Sequence, residues 1–397
     1  MAEMESFCDL PSDIVERIML WVPADSLLQS KSVNKFWYSH ISTFINNPEF
    51  VAKHLLITKN QSSLTLLFYL RNFLRVHNRL ITYPLSTIIY DDDDEEEDDD
   101  GVIVTEGLSV PRRSKPWDKF MHCDGLLLLA KIDHQIPKGK PNQPMVLCNP
   151  ALKEFMILPK LNNARIDCYT AIGFELDSKN NQYKCVAIWY HCGQCQAEAY
   201  TVGSDSWREI GMSQDIMDAI VGFELTNCLC LEGVCYWLVD KGAETECEWI
   251  LSFDMSDEQF CTIHLPDFGA LGVEDWASTR YVISLAVWND SLVICLTLRL
   301  DGNIIFIFTM DEAAAGSWSK YGQVGPLEKK IKFFLPIWKN DEILMKVYDD
   351  DDWRAQKLVS CNIHTQKLRC VDPDLPIEAF EFNGCLYVKS LISIRGR

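Results

Sequence analysis

The chain has 397 residues with 37 Lys and Arg against 57 Asp and Glu. The net charge of −20 and pI near 4.8 describe a field that repels phosphate and exclude a general nucleic-acid binder. With 48% hydrophobic, 24% charged and 11% aromatic residues, the sequence can fill a core and is not a disordered chain outside local tracts. It shows no basic leader with an apolar stretch and no apolar run near the ~20 residues of a membrane helix, so a soluble intracellular protein is expected, cytoplasmic or nuclear. Its 16 cysteines are too sparse for a disulfide scaffold and in that setting read mostly as reduced, buried side chains.

Residues 6–57 follow a helical rhythm. Pro11 and Ser12 open a first helix, with Asp13 and Glu16 in the turn where the macrodipole favours negative charge. Ile14, Ile18 and Trp21 share one face, and Pro23 ends the helix. Asp25 or Ser26 can cap a short second helix bearing Leu27 and Leu28. A third runs through Val33, Phe36, Trp37, Ile41 and Phe44, and Asn47-Pro48 starts a fourth carrying Phe50, Val51, His54 and Leu55. So short a segment, apolar on more than one face, cannot enclose a core of its own. It docks either on the rest of the chain, as a helical cap, or on a partner.

Residues 58–117 read as a linker with the first strand or strands. Leu64 to Phe73 is apolar enough for a strand, and Asp91 to Asp100 is an unbroken acidic loop. Adjacent like charges repel and cannot be buried, so the tract is solvated. Two roles are open: a loop that aids solubility, or a lure for a basic partner through residues such as Asp91, Asp94, Glu96 and Asp100. A shorter run, Asp349 to Asp352, reads as a loop tip, and neither run has the alternating ligands and turn glycine of a calcium loop.

Residues 118–397 repeat. A strand, a polar turn and a second strand recur from Val146, Glu198, Ile250, Ile305 and Leu358, about 53 residues apart. Between them lie apolar strands at Gly125–Leu129, Tyr183–Tyr190, Val234–Val239, Leu292–Leu298, Ile343–Tyr348 and Leu386–Leu391. Four strands in roughly 50 residues is the arithmetic of a kelch-like β-propeller. Taken from about residue 60, the length predicts about six blades, the strand near Leu64 completing a blade that the C-terminus begins; seven blades or a two-sheet sandwich are the alternatives. Phe155, Trp207, Phe260 and Trp318 are expected to pack between blades. The fold class is therefore α+β and multidomain, a small helical unit before a mainly-β propeller.

The chemistry-bearing residues form no enzyme signature. His191 with Cys192-Gly193-Gln194-Cys195 has the spacing of half a zinc site, but no second pair follows, so no metal is expected. Cys228, Cys230 and Cys235 alternate along a strand pair and read as core. None of the eight histidines belongs to a hydrolase or kinase pattern, no phosphate loop is present, and no catalytic residue or cofactor is assigned.

Leu10-Pro11-Ser12-Asp13-Ile14, Arg17-Ile18, Val22-Pro23, Ser26-Leu27-Leu28 and Lys31-Ser32-Val33-Asn34-Lys35-Phe36-Trp37, in that order, resemble an F-box. The resemblance implies binding to the small linker subunit of an SCF (cullin-RING) ubiquitin ligase through Leu10, Pro11, Ile14, Ile18, Leu27, Val33 and Trp37. Here Ser32 stands where many relatives have Cys, and Phe36-Trp37 replaces Ser-Trp. The large domain resembles the F-box-associated domain of plant F-box proteins and, within it, the S-locus F-box group. The segments that carry this are His122-Cys123-Asp124-Gly125-Leu126, Leu147-Cys148-Asn149-Pro150-Ala151, Ser204-Asp205-Ser206-Trp207-Arg208 and Gly233-Val234-Cys235-Tyr236-Trp237. It implies a non-catalytic substrate receptor whose propeller presents a protein for ubiquitin-dependent degradation. In the S-locus group that protein is a non-self S-RNase, a basic ribonuclease met in the pollen tube during self-incompatibility. Two alternatives stand beside it: the same receptor acting on an unrelated developmental or defence protein, and a propeller enzyme or lectin that the helices merely cap.

Overall fold

The computed structural model describes residues 10–60, 64–76, 79–82, 86–90, 104–107, 119–130, 145–162, 170–191, 194–220, 224–240, 249–271, 281–288, 290–299, 303–311, 316–327, 331–334, 341–348, 356–370 and 381–395. Four helices come first: α1 Ser12–Met19, α2 Ala24–Ser30, α3 Lys35–Ile45 and α4 Pro48–Lys59. Their ends follow from local chemistry. Pro11 and Pro23 immediately precede α1 and α2, so α2 begins on Ala24 without the Asp25 or Ser26 side-chain cap expected. Asn34 accepts from the Trp37 amide to cap α3, and Asn47 accepts from the Glu49 amide ahead of Pro48 to cap α4.

The rest is antiparallel sheet. β1 Leu64–Val76, β2 Arg79–Thr82, β3 Ser86–Tyr90 and β4 Val104–Gly107 form one sheet, with the last strand of the chain, β25 Glu381–Tyr387, paired on β1. Five four-stranded meanders lie between. They are β5 Lys119–Cys123, β6 Leu126–Ala130, β7 Val146–Asn149 and β8 Glu154–Ile157, then β9 Thr170–Asp177, β10 Gln182–His191, β11 Gln194–Thr201 and β12 Arg208–Ile210. After a short helix, α5 Gln214–Ile220, come β13 Glu224–Leu231, β14 Val234–Asp240, β15 Trp249–Asp254 and β16 Gln259–His264. β17 Tyr281–Trp288, β18 Ser291–Arg299, β19 Asn303–Met310 and β20 Trp318–Leu327 precede β21 Ile331–Phe334, β22 Glu342–Tyr348, β23 Gln356–Asn362 and β24 Leu368–Cys370.

The first strand of each meander packs on its counterpart in the next, β5 on β9, β9 on β13, β13 on β17 and β17 on β21, while β25 packs on β5. This is the inner ring of a propeller. Its core is a set of seams: Leu128, Phe174, Trp189 and Trp207 fill one, and Leu251, Phe253 and Trp237 another.

The period of about 53 residues has a residue-level cause. Asn149, Asp254 and Asn362 each end the third strand of a blade, and each side-chain oxygen accepts from the amides two and three residues on. Four residues after each comes a left-handed residue, Lys153, Glu258 or Gln366. The same side-chain-driven turn thus recurs in three blades.

Four expectations are corrected. Among the described residues the regular four-stranded blades number five, not about six. The remaining sheet, five-stranded and drawn from both ends of the chain, escapes the repeat because β1, 13 residues long, serves β2, β3 and β25 at once. The segment 58–117 supplies four of that sheet's strands, and the pairing Leu66↔Leu386 joins the two chain ends. Leu386–Leu391 is not a strand throughout: β25 stops at Tyr387, residues 388–393 run on as a strap without regular secondary structure, and residues 394–395 turn. Phe155 does not pack between blades but stands 54% exposed on β8, whereas Trp207 and Phe260 are buried and Trp318 donates its indole N–H to the His264 carbonyl. Finally, Cys230 and Cys235 are joined as a disulfide rather than packed as two thiols.

Candidate functional site

α1 is apolar on two sides. Val15 and Met19 face inward to a core shared with Ala24, Leu27, Ile41, Phe44, Ile45 and Phe50. Leu10, Ile14, Ile18 and Trp21, spaced by four, four and three residues, lie on the other side, between 36% and 65% exposed. Val33, after α2, and Tyr38, on α3, are more than 60% exposed as well. Lone exposed apolar residues need no account, but this short helical unit exposes seven, Leu56 of α4 included, and the four along α1 follow one helical face, the kind of feature that marks an interaction site.

The residues expected to contact a linker subunit divide accordingly. Leu10, Pro11, Ile14, Ile18 and Val33 are exposed; Trp37 is half-buried against the helical core; Leu27 is buried within it and offers nothing to a partner from this position. Trp21 and Tyr38 join the exposed set. Trp21 was legible from the helical spacing after Ile14 and Ile18, whereas Tyr38 carries no periodic signal that separates it from its neighbours. Asp91, Asp94, Glu96 and Asp100 lie outside the described residues.

The opposite side of the helical unit is fastened to the propeller. Ala151, Leu152 and Leu391 complete its core. Lys389 pairs with Asp25 at 2.5 Å, and Lys59, at the end of α4, pairs with Asp124 at 2.5 Å in the β5–β6 turn. Asp124 also accepts from the Tyr183 hydroxyl of the next blade at 2.9 Å. Asn149, fully buried, donates to the carbonyls of Ser390 and Ile392 at 3.0 and 2.7 Å. Glu154 accepts from the Ser393 hydroxyl and the Ile394 amide. The strap is therefore sewn to helices on one side and to the β5–β8 blade on the other.

The electrostatics beneath this junction hold protons in place rather than move them. Burial pushes the Glu175 carboxyl up, and the Cys123 thiol, raised first by burial and then by the neighbouring carboxylates, donates to Glu175 at 2.7 Å. Burial, the largest single effect, works against the Lys59 charge, but the hydrogen bond and charge of Asp124 together with Cys123 and Glu175 outweigh it and raise the ammonium. Further round the ring, burial alone would raise the Asp177 carboxyl; donation by Lys184, Asn180 and Ser256 overrides it and holds the group well below the usual carboxylate range. Lys184 spans two blades, reaching Asp177 at 2.7 Å, Glu258 at 2.8 Å and the Met255 carbonyl at 2.8 Å. Burial lifts Cys148 to about 12 and Cys195 to about 11, values at which a thiol is a poor nucleophile or metal ligand. Cys192, the other half of the Cys-x-x-Cys pair, lies outside the described residues, and among the described residues no group of three potential ligands comes together.

Comparison with known proteins decides the family. A model of the F-box domain matches residues 7–48, and one of the F-box associated beta propeller domain matches residues 80–394. The chain belongs to the F-box proteins with an F-box-associated propeller. Among its relatives in Arabidopsis thaliana, F-box protein At4g10190 is 25% identical over 349 residues, covering 84% of this chain and 83% of its own length. F-box protein At3g25460 is 26% identical, covering 86% of each. Among solved structures, an oligogalacturonate lyase in complex with manganese overlaps 77% of this F-box protein and 77% of its own chain, at 9% identity and a TM-score of 0.42, too distant to bear on activity. No helix among the described residues is long and apolar enough to cross a membrane.

Proposed function

We propose that this F-box protein is a substrate-recognition adaptor of an SCF ubiquitin ligase: α1 to α3 bind the Skp-type linker subunit, through it the cullin, and the propeller carries the client. The adaptor is not itself an enzyme; ubiquitin transfer is catalysed by its partners. The open stripe Leu10, Ile14, Ile18, Trp21 carries this reading, because the helices bury their other side against the propeller and still leave a second apolar face in water. Replacing Ile14→Asp together with Ile18→Asp tests it. Both side chains are more than a third exposed, so the fold tolerates the charges and the thermal midpoint holds, while co-purification with the linker subunit is lost. Retained binding would sink the adaptor reading.

The client is proposed to be a basic protein, and within the S-locus resemblance a non-self S-RNase encountered in the pollen-tube cytoplasm. What supports this is the set of S-locus-like segments together with the net charge of −20. Capture of pistil ribonucleases by the full-length protein, followed by their ubiquitination in a reconstituted ligase, is the expected result. Capture of a different basic protein would keep the adaptor and assign it an unrelated developmental or defence client.

A further inference from the structure

Cys230 and Cys235 face each other in register across the β13–β14 hairpin, with Cα atoms 4.1 Å apart and their sulfurs bonded. They sit one pair beyond the Glu232–Gly233 turn, whose residues both adopt positive φ, 49° and 85°, as a tight two-residue hairpin turn requires. A staple here is nearly redundant. The two residues are only five apart in sequence, and the strands are already laddered from Glu224↔Asp240 to Leu231↔Val234, so little chain entropy is left for the bond to remove.

The surroundings of the two sulfurs differ. Cys235 is fully buried on the seam with the preceding blade; a β-carbon on Gly173 of β9 would lie 2.8 Å from its Sγ and 2.9 Å from Cζ2 of Trp237. Only a glycine fits there. Cys230, on the inner strand β13, is partly exposed at the margin of the same core.

We propose that Cys230 and Cys235 form a reversible dithiol–disulfide site at the seam between the β9–β12 and β13–β16 blades, exchanging with low-molecular-weight thiols and disulfides of the glutathione class. In oxidation the Cys230 thiolate attacks the small disulfide, forming a mixed disulfide and expelling one thiol. The Cys235 thiolate then attacks Cys230 Sγ and expels the second. Two protein thiols and one small disulfide become one protein disulfide and two small thiols, two electrons passing to the small molecule with the two protons. Exposure sets the order: an external disulfide reaches Cys230, and Cys235 can only resolve. Reduction has a mechanical consequence, since two non-bonded sulfurs stand roughly 1.5 Å or more farther apart than bonded ones. Gly173 gives Cys235 no space to retreat, so Cys230 and the end of β13 take up the movement.

The full-length protein equilibrated in glutathione buffers from fully reducing to oxidising, with thiols trapped by alkylation and read by mass spectrometry, tests the site. A single two-electron transition within the buffered range is expected, with faster amide exchange in residues 224–231 of the reduced form. In Cys235→Ser, Cys230 should accumulate as the glutathione mixed disulfide; in Cys230→Ser, Cys235 should stay unmodified. A pair that stays oxidised in the most reducing buffer, or reduced in the most oxidising, overturns the proposal. So does equal glutathionylation of the two single variants.

Discussion

At the scale of single residues, Asn149 combines two roles that its counterparts keep apart. Like Asp254 and Asn362 it closes a hairpin turn, but its amide also holds the strap, and it is fully buried. Asn149→Ala should therefore cost about 3 kcal/mol, leaving buried amides and carbonyls unpaired, against about 1 kcal/mol for Asn362→Ala, measured by denaturant unfolding. His54 makes a second test. It is buried, its Nε2 lies 2.9 Å from the Val22 carbonyl, and burial lowers its pKa despite that hydrogen bond. The folded ring thus stays neutral to lower pH than an unfolded imidazole, whose ordinary pKa is about 6.5. Stability from this group is complete above that value and falls as pH drops through it. The thermal midpoint of the helical unit should decline from pH 7.5 to 5.5, and His54→Gln should flatten the decline. Asn47 and Pro48 were readable as a helix start because their chemistry is local, whereas the third helix, expected to run through Val33, begins only at Lys35 behind the Asn34 cap. The bond from Asn149 to Ile392 was not readable, since nothing near either residue announces a partner 243 positions away.

At the scale of elements, the same distinction separates what the sequence showed from what it hid. The third and fourth strands of each blade were legible as hairpins, since a short turn joins them and an Asn or Asp ends the first strand in three of the five. The first strands β5, β9, β13 and β17 were not, because each is entered from a connection of 11–16 residues of unrelated sequence; β21 follows β20 after only three residues. Leu386–Leu391 looked like one more apolar strand, yet beyond Tyr387 the apolar side chains serve two neighbours: Leu391 enters the helical core and Ile394 the propeller core. Leu391→Ala should cost about 2–5 kcal/mol and loosen the helices, seen as faster amide exchange in α1 to α4. Lys389→Ala, which removes a partly exposed ion pair, should cost less than about 1 kcal/mol in the same measurement. A reversed ranking would show that charge, not burial, fastens the strap.

At the scale of the whole molecule, the charge acts on rates. Association with a basic client should slow as ionic strength rises, while dissociation changes little, in stopped-flow or surface-binding measurements. The acidic run Asp91–Asp100 lies in sequence between β3 and β4, outside the described residues. Deleting the run should lower the association rate by a factor of about 2–10 at low salt and leave the choice among clients unchanged. A changed choice of client would make the run part of the recognition surface.

The pairing of β1 with β25 also dictates an order of events during synthesis. β1 is among the first strands to leave the ribosome and β25 is the last, so at ordinary translation speeds β1 waits on the order of tens of seconds for its partner. Until then the ring is open and the helices lack Leu391 beneath them. A chain released early exposes the edge of β1 and a loosened F-box together, so truncated products should be poor at entering the ligase and prone to aggregate or be cleared. Pairing of β25 on β1 is therefore expected to precede assembly of the proposed adaptor into a ligase.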